Sequence, residues 1–72
     1  MTIEIYYAVN RSGQGRVFTS VPVKNDAIGV YSGDSAGNLT MFVMMMVSRG
    51  FKLPAITYDD EPVKLKISIT NG

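Results

Sequence analysis

Few side chains in this sequence of 72 residues are suited to catalysis. It contains no histidine and no cysteine, which removes the Ser-His-Asp and Cys-His arrangements and every imidazole or thiolate metal site. The remaining nucleophiles are hydroxyl groups, and the sequence shows no lysine or glutamate paired with one of them. We therefore expect a protein that is not an enzyme and that uses no cofactor.

Two short motifs resemble ligand sites but are better explained as turns. The segment 59–61, Asp-Asp-Glu, offers oxygen ligands to Mg²⁺ or Ca²⁺, yet neighbours on a turn rarely converge on one ion, and no further ligand follows at calcium-loop spacing. The segment 13–16, Gly-Gln-Gly-Arg, lacks the Lys-Ser ending and the following helix of a phosphate-binding loop. We predict a solvated turn before Pro62 and a hairpin loop over residues 10–15.

The most distinctive segment is the apolar run 39–47, which holds four of the five methionines. At 100° per residue, one side of such a helix groups residues suited to a core: Leu39, Phe42, Val43, Met46 and Val47. The opposite side groups Met41, Met44 and Met45 near Thr40 and Ser48. Because methionine is flexible and polarisable, it is common at adaptable binding surfaces. We predict a partner interface formed by Met41, Met44, Met45 and Ser48.

The simplest partner for this surface is a second copy of the chain, because two-fold dimers dominate soluble oligomers. Two other interpretations stay open at the level of sequence. The segment 51–62 would cover the methionines if it folded back over the helix. Residues 41–47 would instead form a buried strand, although the helix propensity of methionine and the flanking caps argue against it.

A second functional hypothesis is a nucleic-acid interface on the outer face of a sheet. It would use Arg11, Arg16, Lys64 and Lys66, with Tyr6 as a stacking aromatic, as in small single-strand binders. The net charge of +1, from seven basic and six acidic residues, lacks the basic excess that is typical of phosphate binding. We therefore regard nucleic acid as the alternative to protein contact.

The elements that must position these residues follow from periodicity and turn residues. Period-two alternation predicts strands over 2–9 and 63–70, and further strands over 16–23 and 28–31 with a turn at 24–26. Within 16–23, Val17, Thr19 and Val21 would share one side with Val23. These elements predict an α+β fold in the order β-β-β-α-β. Three strands form an antiparallel meander, a fourth completes the sheet, one helix packs on one face, and the other face meets water.

Cap residues place the helix at residues 36–49, or slightly later because Gly37 and Asn38 are poor helix formers. Asp34 or Ser35 is suited to its N-cap, and Gly50 is suited to the left-handed position after its C-terminus.

The length predicts one domain, residues 1–72. The N-terminus lacks a basic secretory region and the apolar run is too short to span a bilayer, so we expect a cytoplasmic protein without a membrane partner.

Several short motifs resemble a small uncharacterised family from bacteriophages and prophages. They are Tyr-Ala-Val-Asn-Arg-Ser-Gly at 7–13, Val-Phe at 17–18 with Pro22, Gly-Val-Tyr at 29–31, and Ile-Thr-Tyr-Asp-Asp-Glu-Pro-Val at 56–63 after Leu-Pro at 53–54. The family has no assigned activity or functional residues. The resemblance implies an accessory protein in the cytoplasm of a bacterial host, binding a host or phage protein. An inhibitor of a host defence enzyme would show the same features.

Overall fold

The computed structural model describes residues 2–35 and 37–68 and has a small α+β fold, as the sequence predicts. Five strands and one helix follow one another along the described chain: β1 (Thr2–Val9), β2 (Gly15–Phe18), β3 (Val23–Asn25), β4 (Val30–Ser32), α1 (Gly37–Ser48) and β5 (Val63–Ser68). The strands form two antiparallel sheets rather than one meander.

The larger sheet has the strand order β2-β1-β5 and is antiparallel throughout. The predicted hairpin between β1 and β2 is confirmed: the Asn10 N–H donates to the Gln14 carbonyl (2.8 Å) and the Gly13 N–H donates to the Asn10 carbonyl (2.9 Å). Gly13 has a φ of +92°, which a side chain would disfavour. Strand β5 pairs with β1 in the register Glu4 to Lys66, as expected for a strand that returns after the helix.

The strand predicted over 16–23 is wrong, because it divides into β2 and β3, which belong to different sheets. Thr19 explains the break: its N–H and its hydroxyl both donate to the Asp34 carbonyl, at 2.8 and 3.1 Å, instead of extending the ladder with β1. Pro22 has no N–H to give to a ladder. The expected common face is also wrong, since Val17 is buried whereas Thr19, Val21 and Val23 are exposed.

The smaller sheet is a hairpin of β3 and β4, with Lys24 opposite Tyr31. Its turn covers residues 26–29 instead of the predicted 24–26, so Ile28 belongs to the turn and not to a strand. Gly29 closes the turn with a φ of +69°, and its N–H donates to the Asn25 carbonyl (2.9 Å). The Arg11 N–H donates to the Gly29 carbonyl (2.9 Å), which ties this hairpin to the loop after β1.

The larger sheet is covered by α1 on one face and partly by the β3–β4 hairpin on the other. The prediction that the second face is open is therefore wrong where the hairpin covers it. Odd-numbered residues of β1 face α1 in a core built on Ile5, Val17, Val43 and Ile67. On the opposite face of β1, Tyr6 and Ala8 pack in a second core built on Ala8, Phe18 and Tyr31, on the side of the β3–β4 hairpin. The alternation of β1 therefore serves two cores, because the hairpin lies against its C-terminal half.

Two predicted boundaries reach beyond the described residues. Ala36, at the predicted helix start, lies outside them, and so do residues 69–70 at the end of the predicted last strand. The Asp34 carboxylate, one of the two expected N-caps, lies 3.4 Å from the Ser20 hydroxyl. The described helix ends at Ser48, one residue before the predicted end.

Candidate contact surface

The inner side of α1 fixes the helix against the larger sheet. Val43 is fully buried, and the partly buried residues around it belong to the same core: Leu39, Phe42, Met46 and Val47. These are the residues that helical spacing assigned to the core, so that prediction is confirmed. The opposite side of the helix must then face away from the sheet.

The outer side of α1 presents three methionines. Met41 is 73% exposed, Met44 is 57% exposed and Met45 is 44% exposed. Ser48 is exposed on the same side, and its hydroxyl donates to the Met45 carbonyl (2.6 Å). We call Met41, Met44, Met45 and Ser48 the Met face. The three methionines are therefore accessible to a partner, and the interface itself stays a prediction.

The end of α1 directs the following segment into the helix-side core. The Gly50 N–H donates to the Val47 carbonyl (3.0 Å) and the Phe51 N–H donates to the Met46 carbonyl (3.0 Å), which is the Schellman arrangement. Gly50 has a φ of +104°, so its predicted role is confirmed. Phe51 and Leu53 then pack into the helix-side core. Because Met41, Met44 and Met45 stay exposed, the idea that residues 51–62 cover the methionines is wrong.

A groove adjoins the Met face where α1 crosses β2. We call it the α1–β2 groove; its volume is about 410 Å³, and it is lined by Tyr7, Gln14, Gly15, Val17, Thr40, Met44 and Leu53. Tyr7 lies over Gly15 so closely that a Cβ atom at Gly15 would sit 2.6 Å from the Tyr7 hydroxyl oxygen. Met44 belongs both to the groove and to the Met face. This groove was not predicted from the sequence, because it depends on how α1 packs against β2.

The basic residues of the alternative hypothesis do not form one free surface. Lys64 and Lys66 lie on the outer face of β5, but the Glu4 carboxylate is 3.0 Å from the Lys64 amine and 3.9 Å from that of Lys66. The hydrogen bond to Glu4, followed by its charge, raises the pKa of Lys64. The register places Arg16 on the same face, with its guanidinium 5.7 Å from the centre of the Phe18 ring.

Arg11 belongs instead to a cluster around Tyr58 that the sequence analysis did not foresee. Its guanidinium lies 5.1 Å from the centre of the Tyr58 ring and donates to the Asp26 carbonyl (2.9 Å). The Lys24 amine lies 4.4 Å from the same ring centre. The Tyr58 hydroxyl donates to the Asp26 carboxylate (2.7 Å). The cluster attaches the segment after α1 to the β3–β4 hairpin, and no local spacing signals contacts across about thirty residues.

The acidic turn is bound into this same side of the molecule. The Asp60 carboxylate accepts hydrogen bonds from the Thr57 N–H (2.7 Å) and hydroxyl (3.2 Å), and the buried Tyr31 hydroxyl donates to the Asp60 carbonyl (2.9 Å). A shallow groove of about 490 Å³ separates this turn from Val21 and Pro22. Within residues 2–35 and 37–68, no three acidic side chains are grouped so that they could hold a metal ion.

Comparisons with protein-family models, with curated proteins and with solved structures found no match to this chain. The resemblance to a phage family therefore stays a prediction from the short motifs. Of the part of the chain that the structure describes, no helix is long and apolar enough to cross a membrane.

Proposed function

We propose that this chain is a non-enzymatic protein-contact module that associates with itself through the Met face. The proposal rests on the contrast in burial across α1. Val43 is fully buried, whereas its helix neighbours Met41 and Met44 are 73% and 57% exposed. Exposed apolar groups that lie together on one helix face are typical of interaction sites. A helix with an apolar face on each side has a second surface to bury.

Small size gives a physical reason for association. A domain of this length buries only about 60% of the surface of its unfolded chain, which leaves its stability marginal. With no cysteine or histidine in the sequence, neither a disulfide nor an imidazole or thiolate metal site can supplement the core. Burying the Met face in a dimer would add stability by mass action. A net charge of +1 opposes association only weakly.

The biological setting that we propose follows the phage-family resemblance. It is an accessory protein in the bacterial cytoplasm, where the dimer, or the Met face of a dissociated copy, contacts a host or phage protein.

Nucleic-acid binding is the weaker candidate, because Glu4 lies within 4.0 Å of both outer-face lysines and Arg11 is engaged at Tyr58. Phosphate contacts would compete with these interactions.

The test replaces Met44 and Met45 by lysine in one variant. Lysine and methionine have similar helix propensities, so the exposed helix should persist while the interface gains charges that it would have to bury. The matched control is Val23→Lys with Ile28→Lys, which adds the same two charges at apolar residues that are 71% and 66% exposed on the β3–β4 hairpin.

We expect sedimentation velocity to show a dimer for the control and a folded monomer for Met44→Lys/Met45→Lys, with circular dichroism unchanged in both. A dimer that survives both lysines would contradict the proposal. Equal dissociation of the two variants would also contradict it, because charge alone would then account for the effect.

A further inference from the structure

The α1–β2 groove continues the Met face, and the two surfaces share Met44. We propose that a second copy of this chain docks across the Met face and inserts its Met41 side chain into this groove. The inference rests on the proposed self-association and specifies its geometry. It concerns which residues meet, whereas the proposed function concerns whether the Met face associates at all.

The Met face alone is smaller than a stable interface requires. The exposed parts of the three methionines amount to roughly 300 Å², which is already the scale of the largest apolar patch on a typical monomer. In a two-fold dimer both copies contribute, so the Met face alone buries roughly 600 Å² in total, about half of the 1,200 Å² at the lower end of stable interfaces. A contiguous apolar groove on each copy supplies the kind of surface that is still needed.

The chemistry of the groove suits a methionine. Tyr7, Val17 and Leu53 provide an apolar lining, and its volume of about 410 Å³ admits a side chain without displacing the helix-side core. A thioether adapts to irregular spaces and makes favourable contacts with aromatic rings, which Tyr7 offers here. The ring of Tyr7 is held over Gly15, where any Cβ atom would lie within 3.0 Å of it.

The positions of the methionines select Met41 for insertion. Met44 lines the groove of its own copy, and Thr40 lines it one turn earlier. Met41 is the most exposed of the three, and it neighbours Met44 at a spacing of three residues. In a two-fold arrangement each Met41 enters the groove of the other copy, so the same contact is made twice.

The edge of β5 is a less suitable surface for a second copy. Lys64 and Lys66 alternate along this edge strand. Lysines on an edge strand oppose pairing between strands of different chains, because like charges would be brought together. The groove and the Met face carry no charged side chain among the residues that form them.

The test uses two single-cysteine variants, because the sequence has no cysteine of its own. Met41→Cys chains are mixed with Gln14→Cys chains and treated with a short bis-maleimide, so every mixed product joins two molecules. Gln14 is an exposed residue on the rim of the groove. The matched control is Ser12→Cys, which is also exposed, lies in the same loop and is not part of the groove lining.

We expect the mixed 41–14 product to form at least roughly tenfold faster than the 41–12 product. Equal rates for the two pairs, or no 41–14 product from a dimeric sample, would overturn the inference. A second pair of variants needs no cross-linker: Gln14→Arg should weaken the dimer at least roughly tenfold, whereas Ser12→Arg should leave its Kd unchanged.

The outcomes separate this inference from the proposed function. A Gln14→Arg dimer as tight as that of Ser12→Arg, combined with a monomeric Met44→Lys/Met45→Lys variant, would overturn insertion into the groove and leave association through the Met face intact. A chain that is monomeric without any substitution would overturn both. Unchanged circular dichroism in all variants shows that the comparison concerns association and not folding.

Discussion

At the scale of single residues, Asn10 connects the larger sheet to the β3–β4 hairpin. It is 4% exposed, and its side-chain oxygen accepts the Tyr31 N–H at 3.0 Å. Asn25 makes the same kind of bond, accepting the Ala27 N–H at 3.1 Å, but is exposed to solvent. The two asparagines therefore differ in burial while making similar hydrogen bonds.

Replacing Asn10 by alanine should leave the buried Tyr31 N–H without a partner, at a cost of about 1–3 kcal/mol in the free energy of unfolding. Asn25→Ala should cost at most about 0.5 kcal/mol, since water can replace the lost acceptor. Urea denaturation at one protein concentration measures both. Equal losses for the two variants would mean that Asn10 does not connect the sheets in this way.

The phenol of Tyr58 supplies a pH-dependent prediction at the same scale. Partial removal from water, followed by the hydrogen bond to Asp26 and the charge of that carboxylate, raises its pKa above the ordinary 10.0. A raised pKa in the folded state means that the protonated phenol favours folding. This contribution is fully present below pH 10.0 and is lost as the pH rises through the folded-state pKa.

Asp26→Asn keeps a side-chain oxygen for the Tyr58 hydroxyl and removes the charge. We expect the pKa of Tyr58 to fall towards 10.0 in this variant. The pKa is measured by NMR, from the ring carbon resonances of Tyr58 during an alkaline titration. An identical midpoint in the variant and the parent chain would exclude the electrostatic role assigned to Asp26.

At the scale of elements, local patterns predicted much of the fold, whereas long-range bonds explain the errors. Strands β1 and β5 and the two faces of α1 follow from alternation and helical spacing. The division of the segment 16–23 into two strands could not be predicted in this way. The alternation in this segment continues past Thr19, and the break is caused by the bond from Thr19 to the Asp34 carbonyl, fifteen positions away. Helical spacing predicted both the Met face and the core side of α1. The groove beside the Met face could not be predicted, because it depends on packing between α1 and β2.

The end of α1 gives a prediction for an element boundary. Gly50 has a φ of +104°, and no atom lies within 4 Å of the position that a Cβ would occupy. A methyl group there would therefore cause no steric clash, but it would make the backbone conformation unfavourable. Gly50→Ala should therefore destabilise the protein by roughly 1 kcal/mol. D-Alanine, introduced by chemical synthesis, should be tolerated because its mirror-image backbone favours positive φ. Equal destabilisation by both alanines would contradict this explanation.

At the scale of the whole molecule, the larger sheet separates two sides that differ in composition. The β3–β4 hairpin and the segment around Tyr58 cover one face, and they are joined by hydrogen bonds and by two cations beside one ring. On the other face α1 completes the core and presents its methionines outward. In a chain this small, the segment after the helix packs against both cores, and the methionines of the Met face stay exposed.

Self-association through the Met face is best tested by the solution mass of the unmodified chain, measured by light scattering behind size exclusion over a dilution series. We expect a mass of twice the 7.9 kDa of one chain at high concentration, falling towards the mass of one chain on dilution. A mass of 7.9 kDa at every concentration would contradict self-association through the Met face.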